Sequence, residues 1–226
     1  MATTVHEPPQ SKSDNVGEPL LSHNGGWHNP TPVTGSLRSV DDSSPASRTG
    51  IWVGVAAITM TFAAFTSAMI IRQASSSDWQ HFTLPSILYL NTAILIASGG
   101  ALEVARKRVA GYVAGAGVRR SVPLLWLWLT MALGLAFVAG QYIAWQQLRA
   151  EGLYLATNPS SSFFYLFTTL HAIHVIGGLA GLTLVIWRLS RPLPTLRLST
   201  LSTVSYYWHF MSVLWIYLLL LLWMRI

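Results

Sequence analysis

The chain contains no cysteine. That absence removes disulfides, thiolate nucleophiles, iron–sulfur clusters and thiolate-bound zinc or copper from its chemistry. It is also short of charge: Asp, Glu, Lys and Arg make up 10% of 226 residues, and only 8 are acidic. An ordinary soluble domain carries about 25%. A proton pump or coupled transporter needs several carboxylates inside the membrane to relay protons; here the apolar segments hold one, Glu103, near the end of a run. No phosphate-binding loop, dinucleotide fingerprint, Ser-His-Asp arrangement or HExxH helix is present. No internal repeat is visible, which argues against an inverted-repeat transporter.

What the chain does have is apolar length. Hydrophobic residues make up 52% of the sequence and the mean hydropathy is +0.45, the composition of a polytopic membrane protein. Five apolar runs, at 51–71, 85–105, 122–148, 162–187 and 204–224, are each long enough to cross a hydrocarbon core of roughly 30 Å as a helix rising 1.5 Å per residue. The expected fold is therefore all-α, an integral membrane bundle of five transmembrane helices. Residues 1–50 are different material, rich in Ser, Pro, Gly and Asn, and cannot bury enough apolar surface to offset ordering entropy; a disordered tail is expected. The tail has no apolar core of a secretory signal. Glu7, Asp14, Glu18, Asp41 and Asp42 outnumber Lys12, Arg38 and Arg48, unlike a mitochondrial presequence. His6, His23 and His28 are read as solvated side chains.

The formal charge of +6 and pI near 10.0 are explained by topology. Lys12, Arg38, Arg48, Arg106, Lys107, Arg108, Arg119, Arg120, Arg188, Arg191 and Arg197 fall on one side of the five runs, and Arg72, Arg149 and Arg225 on the other. The positive-inside rule then places the N-terminus in the cytoplasm and the C-terminus outside. Bases divided among loops form no stripe for nucleic acid. Trp52, Trp126, Trp187 and Trp223 lie near run ends, as an interfacial aromatic belt requires. Asn158 heads an Asn-Pro-Ser sequence, and the proline excludes N-glycosylation. Arg106, Lys107, Arg119 and Arg120 are placed to meet anionic lipid headgroups, worth about 1 kcal/mol each.

The intramembrane polar residues are Asn91, Glu103, Gln141, His171, His174 and His209. His171 and His174 lie one turn apart near the middle of the fourth run, where ionisable groups are costly. Gly177 and Gly181 follow as a small-xxx-small surface for a close helix neighbour. Glu103 and Lys107 are spaced for an i,i+4 ion pair at a helix end. A haem held by His171 or His174 and by His209 is the sharper alternative. Against it stand the bulky neighbours Tyr206, Tyr207, Trp208 and Phe210 and the place of His209 in the first turns of the fifth run. Histidines satisfied by neighbouring polar groups are the default. A small transporter whose pore is lined by Gln141, His171, His174 and His209, and a b-type cytochrome anchor, are further readings. No catalytic centre is recognisable, which points to an accessory subunit.

Three stretches then resemble one family. FFYLFTTLHAIHVIGGLAGL at 163–182, YYWHFMSVLWIYLLLLLW at 206–223 and LYLNTAILIASGGALEVAR at 88–106 are similar, in order and separation, to helices of haem–copper oxidase subunit III. The likeness extends over residues 50–226 and fits the short five-helix bacterial form. It implies a non-catalytic subunit of a respiratory oxidase in the bacterial plasma membrane. The chain itself would bind no metal, while haem and copper sit in partner subunits I and II. It would pack against subunit I, support proton uptake and contact structural phospholipid. A cytochrome c oxidase, a quinol oxidase or a nitric oxide reductase would each accommodate it. By the same resemblance Asn91, Gln141, His171, His174, Trp208 and His209 would be packing, lipid or partner contacts. Thr59 and Ala144 stand where the family carries acids, and the family's first two helices have no counterpart, so roles tied to those features do not transfer.

Overall fold

A continuous apolar run in lipid must satisfy every backbone N–H and C=O internally, and the helix does this within a single segment. The computed structural model describes residues 45–75, 77–117, 119–191 and 198–226, without the side chains of 45–48, 198 and 199. Residues 1–44, which hold most of the expected tail, lie outside the described residues. Five helices form: α1 (Pro45–Ser75), α2 (Ile87–Val113), α3 (Ser121–Ala150), α4 (Pro159–Ser190) and α5 (Leu198–Arg225). All five are long and apolar enough to cross a membrane, and no strand occurs among the described residues.

The helices overshoot their apolar runs. The first begins at Pro45 rather than 51, the second continues to Val113 rather than 105, and the fifth begins at Leu198 rather than 204. Apolarity marks the part of a helix inside lipid, whereas backbone hydrogen bonding continues through helix formers such as Arg106, Lys107 and Arg108. The sharpest boundary is the start of α4. The Asn158 side chain accepts the Ser161 N–H at 2.8 Å, the Ser161 hydroxyl accepts the Asn158 N–H, and Pro159 fills the first helical position. Pro159, which spoils the glycosylation sequence, here supplies a helical φ where no N–H is needed.

Helices α2, α3, α4 and α5 pack in a ring, each against the next and α5 against α2, with alternating direction. This is an up-down-up-down four-helix bundle. Helix α1 lies outside the ring, against α4 and α5, and packs on neither α2 nor α3. Phe62 and Met69 are its only described residues that become buried. Its exposed Thr59 and Thr61 turn their hydroxyls back onto the carbonyls of Val55 and Ala57 at 2.8 and 2.9 Å, so these two hydroxyls are satisfied within the helix. Exposed Trp52, Met60, Leu125, Trp128, Leu135, Ile176 and Trp223 make the bundle's flank apolar, as an integral membrane protein requires.

The alternation gathers the ends of α2 and α4 and the starts of α3 and α5 at one pole. There Arg120 donates from Nε to the Leu189 carbonyl at 2.7 Å and from a terminal nitrogen to the carbonyls of Leu189 and Arg191. It thereby caps the last turn of α4, whose carbonyls have no helical partner. The Arg191 guanidinium stacks 3.9 Å from the Trp187 ring centroid. At the opposite pole the α1–α2 loop grips residues 225–226. Trp79 Nε1 and Gln73 Nε2 donate to the Arg225 carbonyl, and the Phe82 N–H and the His81 ring reach the Ile226 carbonyl.

Candidate functional site

The polar residues inside the bundle are arranged around one indole. Trp208 on α5 is 2% exposed, and its Nε1 donates a 2.9 Å hydrogen bond to Ser98 on α2. The Ser98 hydroxyl in turn donates to the Leu95 carbonyl at 2.6 Å, so indole and hydroxyl are both satisfied. The other walls are glycines. A Cβ on Gly134 of α3 would stand 2.9 Å from the Trp208 ring and 2.8 Å from Leu179, and one on Gly178 of α4 would stand 3.2 Å from the ring. Trp208 thus occupies a slot bounded by three helices, and two of its sides are open only because they lack side chains.

A second layer lies toward the gripped pole. His171 is wholly buried, with its ring 5.0 Å from Trp215 and edge-on to Phe137 at 5.8 Å. Trp215 is itself edge-on to Phe137 at 5.1 Å and donates from Nε1 to Thr92 at 2.9 Å. Asn91, next to Thr92, lies flat against the backbone of α3: a Cβ on Gly140 would be 1.9 Å from its Oδ1. Gln141 follows Gly140 and is 1% exposed. One turn further on, Trp145 donates to the Thr168 hydroxyl on α4 at 3.0 Å.

The three histidines part company. His174 is half-buried toward α1, where its ring lies 6.0 Å from Phe62 and its Nδ1 donates to the Leu170 carbonyl at 2.7 Å. His209 is exposed beside α2, and a Cβ on Gly99 would touch its ring at 3.5 Å. Because α5 starts at Leu198, His209 is three turns into its helix and not in the first turns as the sequence suggested. His171 faces Phe137 and Trp215, six positions beyond His209 on α5 and roughly 9 Å further along the axis. Among the described residues no group of three His, Asp or Glu side chains converges as a metal site would.

The carboxylate expected to pair with Lys107 pairs elsewhere. Glu103 accepts two hydrogen bonds from Arg106, at 2.8 and 2.9 Å, because the planar guanidinium at i+3 reaches both carboxylate oxygens while Lys107 stays exposed. The close helix approach expected at Gly177 and Gly181 is made by Gly178: hypothetical Cβ atoms on the other two meet only Tyr207 and Val204, at 3.8 and 3.6 Å. Gly134, Gly140 and Ser98 were not singled out by sequence reasoning. No local signal sets the two glycines apart, since they sit among Ala132, Ala136, Ala139 and Ala144 in the third run.

A family model described as cytochrome c oxidase subunit III matches residues 53–225, a range that reaches into all five helices. The chain belongs to the cytochrome c oxidase subunit III family. It is 36% identical over 102 residues to the probable cytochrome c oxidase subunit 3 of Nocardia farcinica and 38% identical over 101 residues to the cytochrome c oxidase subunit 3 of Corynebacterium diphtheriae. Each of these matches covers 44% of this chain and 47% of the relative, so the chain spans about half the length of those relatives. It is 28% identical to cytochrome c oxidase subunit 3 of Thermostichus vulcanus over 183 residues, 76% of this chain and 84% of that one. Within this subunit III framework Thr59 is exposed on α1 and Ala144 is buried in α3.

Proposed function

We infer that this chain serves as the non-catalytic subunit III of a respiratory haem–copper oxidase, an assembly that reduces oxygen to water and translocates protons. The observation that carries the reading is the family match across residues 53–225. In this reading haem and copper belong to partner subunits I and II, and the apolar flanks of the bundle are the surfaces that meet subunit I and lipid. In the same reading the chain supports proton uptake by subunit I through packing.

The orientation proposed puts the pole bearing Arg106, Lys107, Arg119 and Arg120 in the bacterial cytoplasm, on the side the positive-inside rule selects. Arg106 and Arg120 already have protein partners in Glu103 and in the α4 carbonyls. Lys107 and Arg119 are exposed, which leaves them as the stronger candidates for anionic headgroups. Arguing against a transporter, the four polar residues once considered as a pore lining do not face one passage. Gln141 and His171 are sealed in the bundle, His174 faces α1, and His209 faces out beside α2.

The test is affinity purification of the tagged chain from membranes in mild detergent. Recovery of a large haem-bearing subunit, with the haem spectrum belonging to that partner, is the expected result. Recovery of this chain alone, carrying its own Soret band, overturns the reading.

A further inference from the structure

Among the described residues, the buried side-chain nitrogens and oxygens without a hydrogen-bond partner all belong to three residues: Asn91 Nδ2, Gln141 Nε2 and Oε1, and both ring nitrogens of His171. They come from three helices, yet helix register puts them in one layer. The bond from Trp145 to Thr168 aligns antiparallel α3 with α4. One turn from Trp145 along α3 leads to Gln141, and the matching turn from Thr168 along α4 leads to Ala172, next to His171. The contact of Gly134 with Leu179 fits the same alignment. On the other side Asn91 lies against Gly140, the residue before Gln141. The three side chains therefore share a level to within about one residue's rise, 1.5 Å.

The layer is walled by Phe137 and Trp215, which pack on the His171 ring. The Trp215 N–H is already engaged by Thr92. Exposure is 1% or less at all three residues, so bulk solvent and lipid are excluded. Asn91 offers a donor, Gln141 a donor and an acceptor, and neutral imidazole one of each. Buried polar groups in native proteins are almost always hydrogen-bonded, and a small group that both donates and accepts matches this set. The flanking segments 88–95, 137–145, 168–175 and 211–218 contain no Asp, Glu, Lys or Arg, so an ion would find no counter-charge there.

We propose that this layer is a hydration site: ordered internal water bridges Gln141 and His171, accepts from Asn91 Nδ2, and ties α2, α3 and α4 together through hydrogen bonds that no direct side-chain contact supplies. Buried waters of this kind make about three hydrogen bonds, which allows one to each of the three side chains. The site rests on no assignment of activity to the chain.

The deciding measurement is a density map of the intact protein, with whatever subunits accompany it, at a resolution that shows ordered solvent. A solvent peak roughly 2.7–3.2 Å from both Gln141 and His171 is expected. In Gln141→Leu the peak is expected to vanish while the His171 ring stays between Phe137 and Trp215. A map in which Asn91, Gln141 and His171 bond directly to one another or to backbone, with no solvent peak in the layer, overturns the proposal. The unsubstituted protein decides the matter alone where the variant does not assemble.

Discussion

Trp208 and Ser98 are 110 positions apart in the chain and 2.9 Å apart, nitrogen to oxygen, in the structure. The bond crosses from α5 to α2, the contact that closes the ring of four helices, while Gly134 and Gly178 accept the indole on its other sides. One side chain therefore touches every other helix of the ring. In lipid this contact must work through shape and hydrogen bonding, because burying apolar surface against protein gains little over burying it in acyl chains.

The two contributions of that indole separate by substitution. Trp208→Phe keeps much of the ring and loses the donor, so the hydrogen-bond part of its cost is about 1 kcal/mol. Trp208→Ala empties the slot and costs about 3–5 kcal/mol. Thermal inactivation of the assembled protein measures both. Equal losses would mean that the hydrogen bond, and not the packing, dominates.

Gly140→Ala places a methyl group where the Asn91 carboxamide lies, 1.9 Å from its oxygen, and must spread α2 from α3. Overpacking of this kind costs roughly 1–3 kcal/mol. The control is Gly177→Ala, where the nearest atom is the Tyr207 hydroxyl at 3.8 Å; little change in melting temperature is expected there. A tolerant Gly140 would mean that Asn91 has another place to go.

Arg120→Ala removes charged donors from the last carbonyls of α4, with an expected cost of about 1.5–3 kcal/mol. Hydrogen exchange at residues 186–191 is the direct readout, and faster exchange confined to that turn is expected. Arg119→Ala should leave exchange unchanged and lower the amount of anionic lipid that co-purifies. If Arg120→Ala lowers lipid retention without loosening α4, the cap is not its main role.

The Glu103–Arg106 pair has side chains 31% and 41% exposed, so solvent screens it and its net worth is about 0–1 kcal/mol. A double-mutant cycle with Glu103→Gln and Arg106→Ala should return a coupling in that range. The same cycle with Lys107→Ala should return a value near zero. A larger coupling with Lys107 would restore the i,i+4 pairing expected from spacing alone.

His171→Ala leaves a void between Phe137 and Trp215 and is expected to cost about 2–5 kcal/mol, as other large-to-small core changes do. His174→Ala, at a half-buried position, should cost less. Both should reduce the yield of assembled complex while the haem spectrum per complex is unchanged. Loss of one haem per complex in either variant would reinstate an axial-ligand role.

The five helices were legible because apolar run length is a direct record of bilayer thickness. Their ends were not, since α2 continues past Arg106, Lys107 and Arg108 into a region where polarity no longer reports helicity. Among polar residues, the sequence placed Asn91, Glu103, Gln141, His171, His174 and His209 within the membrane without separating the buried from the exposed. It could not say which atoms meet, because register between antiparallel helices depends on interhelical contacts that no local pattern encodes. Hence Gly178 and not Gly177 makes the close approach, and Arg106 and not Lys107 holds Glu103. Spacing on one helix offers several candidate neighbours, and side-chain reach chooses among them.

Helix α1 packs only on α4 and α5, and that placement imposes an order on synthesis. Between Ser75 and Pro159 lie 83 residues, which at about 5–20 residues per second take on the order of ten seconds to make. Throughout that interval α1 has no partner and must reside in lipid by itself. The back-bonded hydroxyls of Thr59 and Thr61 ease this residence, because each is satisfied within the helix itself. The ring of α2 to α5 closes around Trp208 without contact from α1, whose first partner within the chain, α4, exists only after that interval.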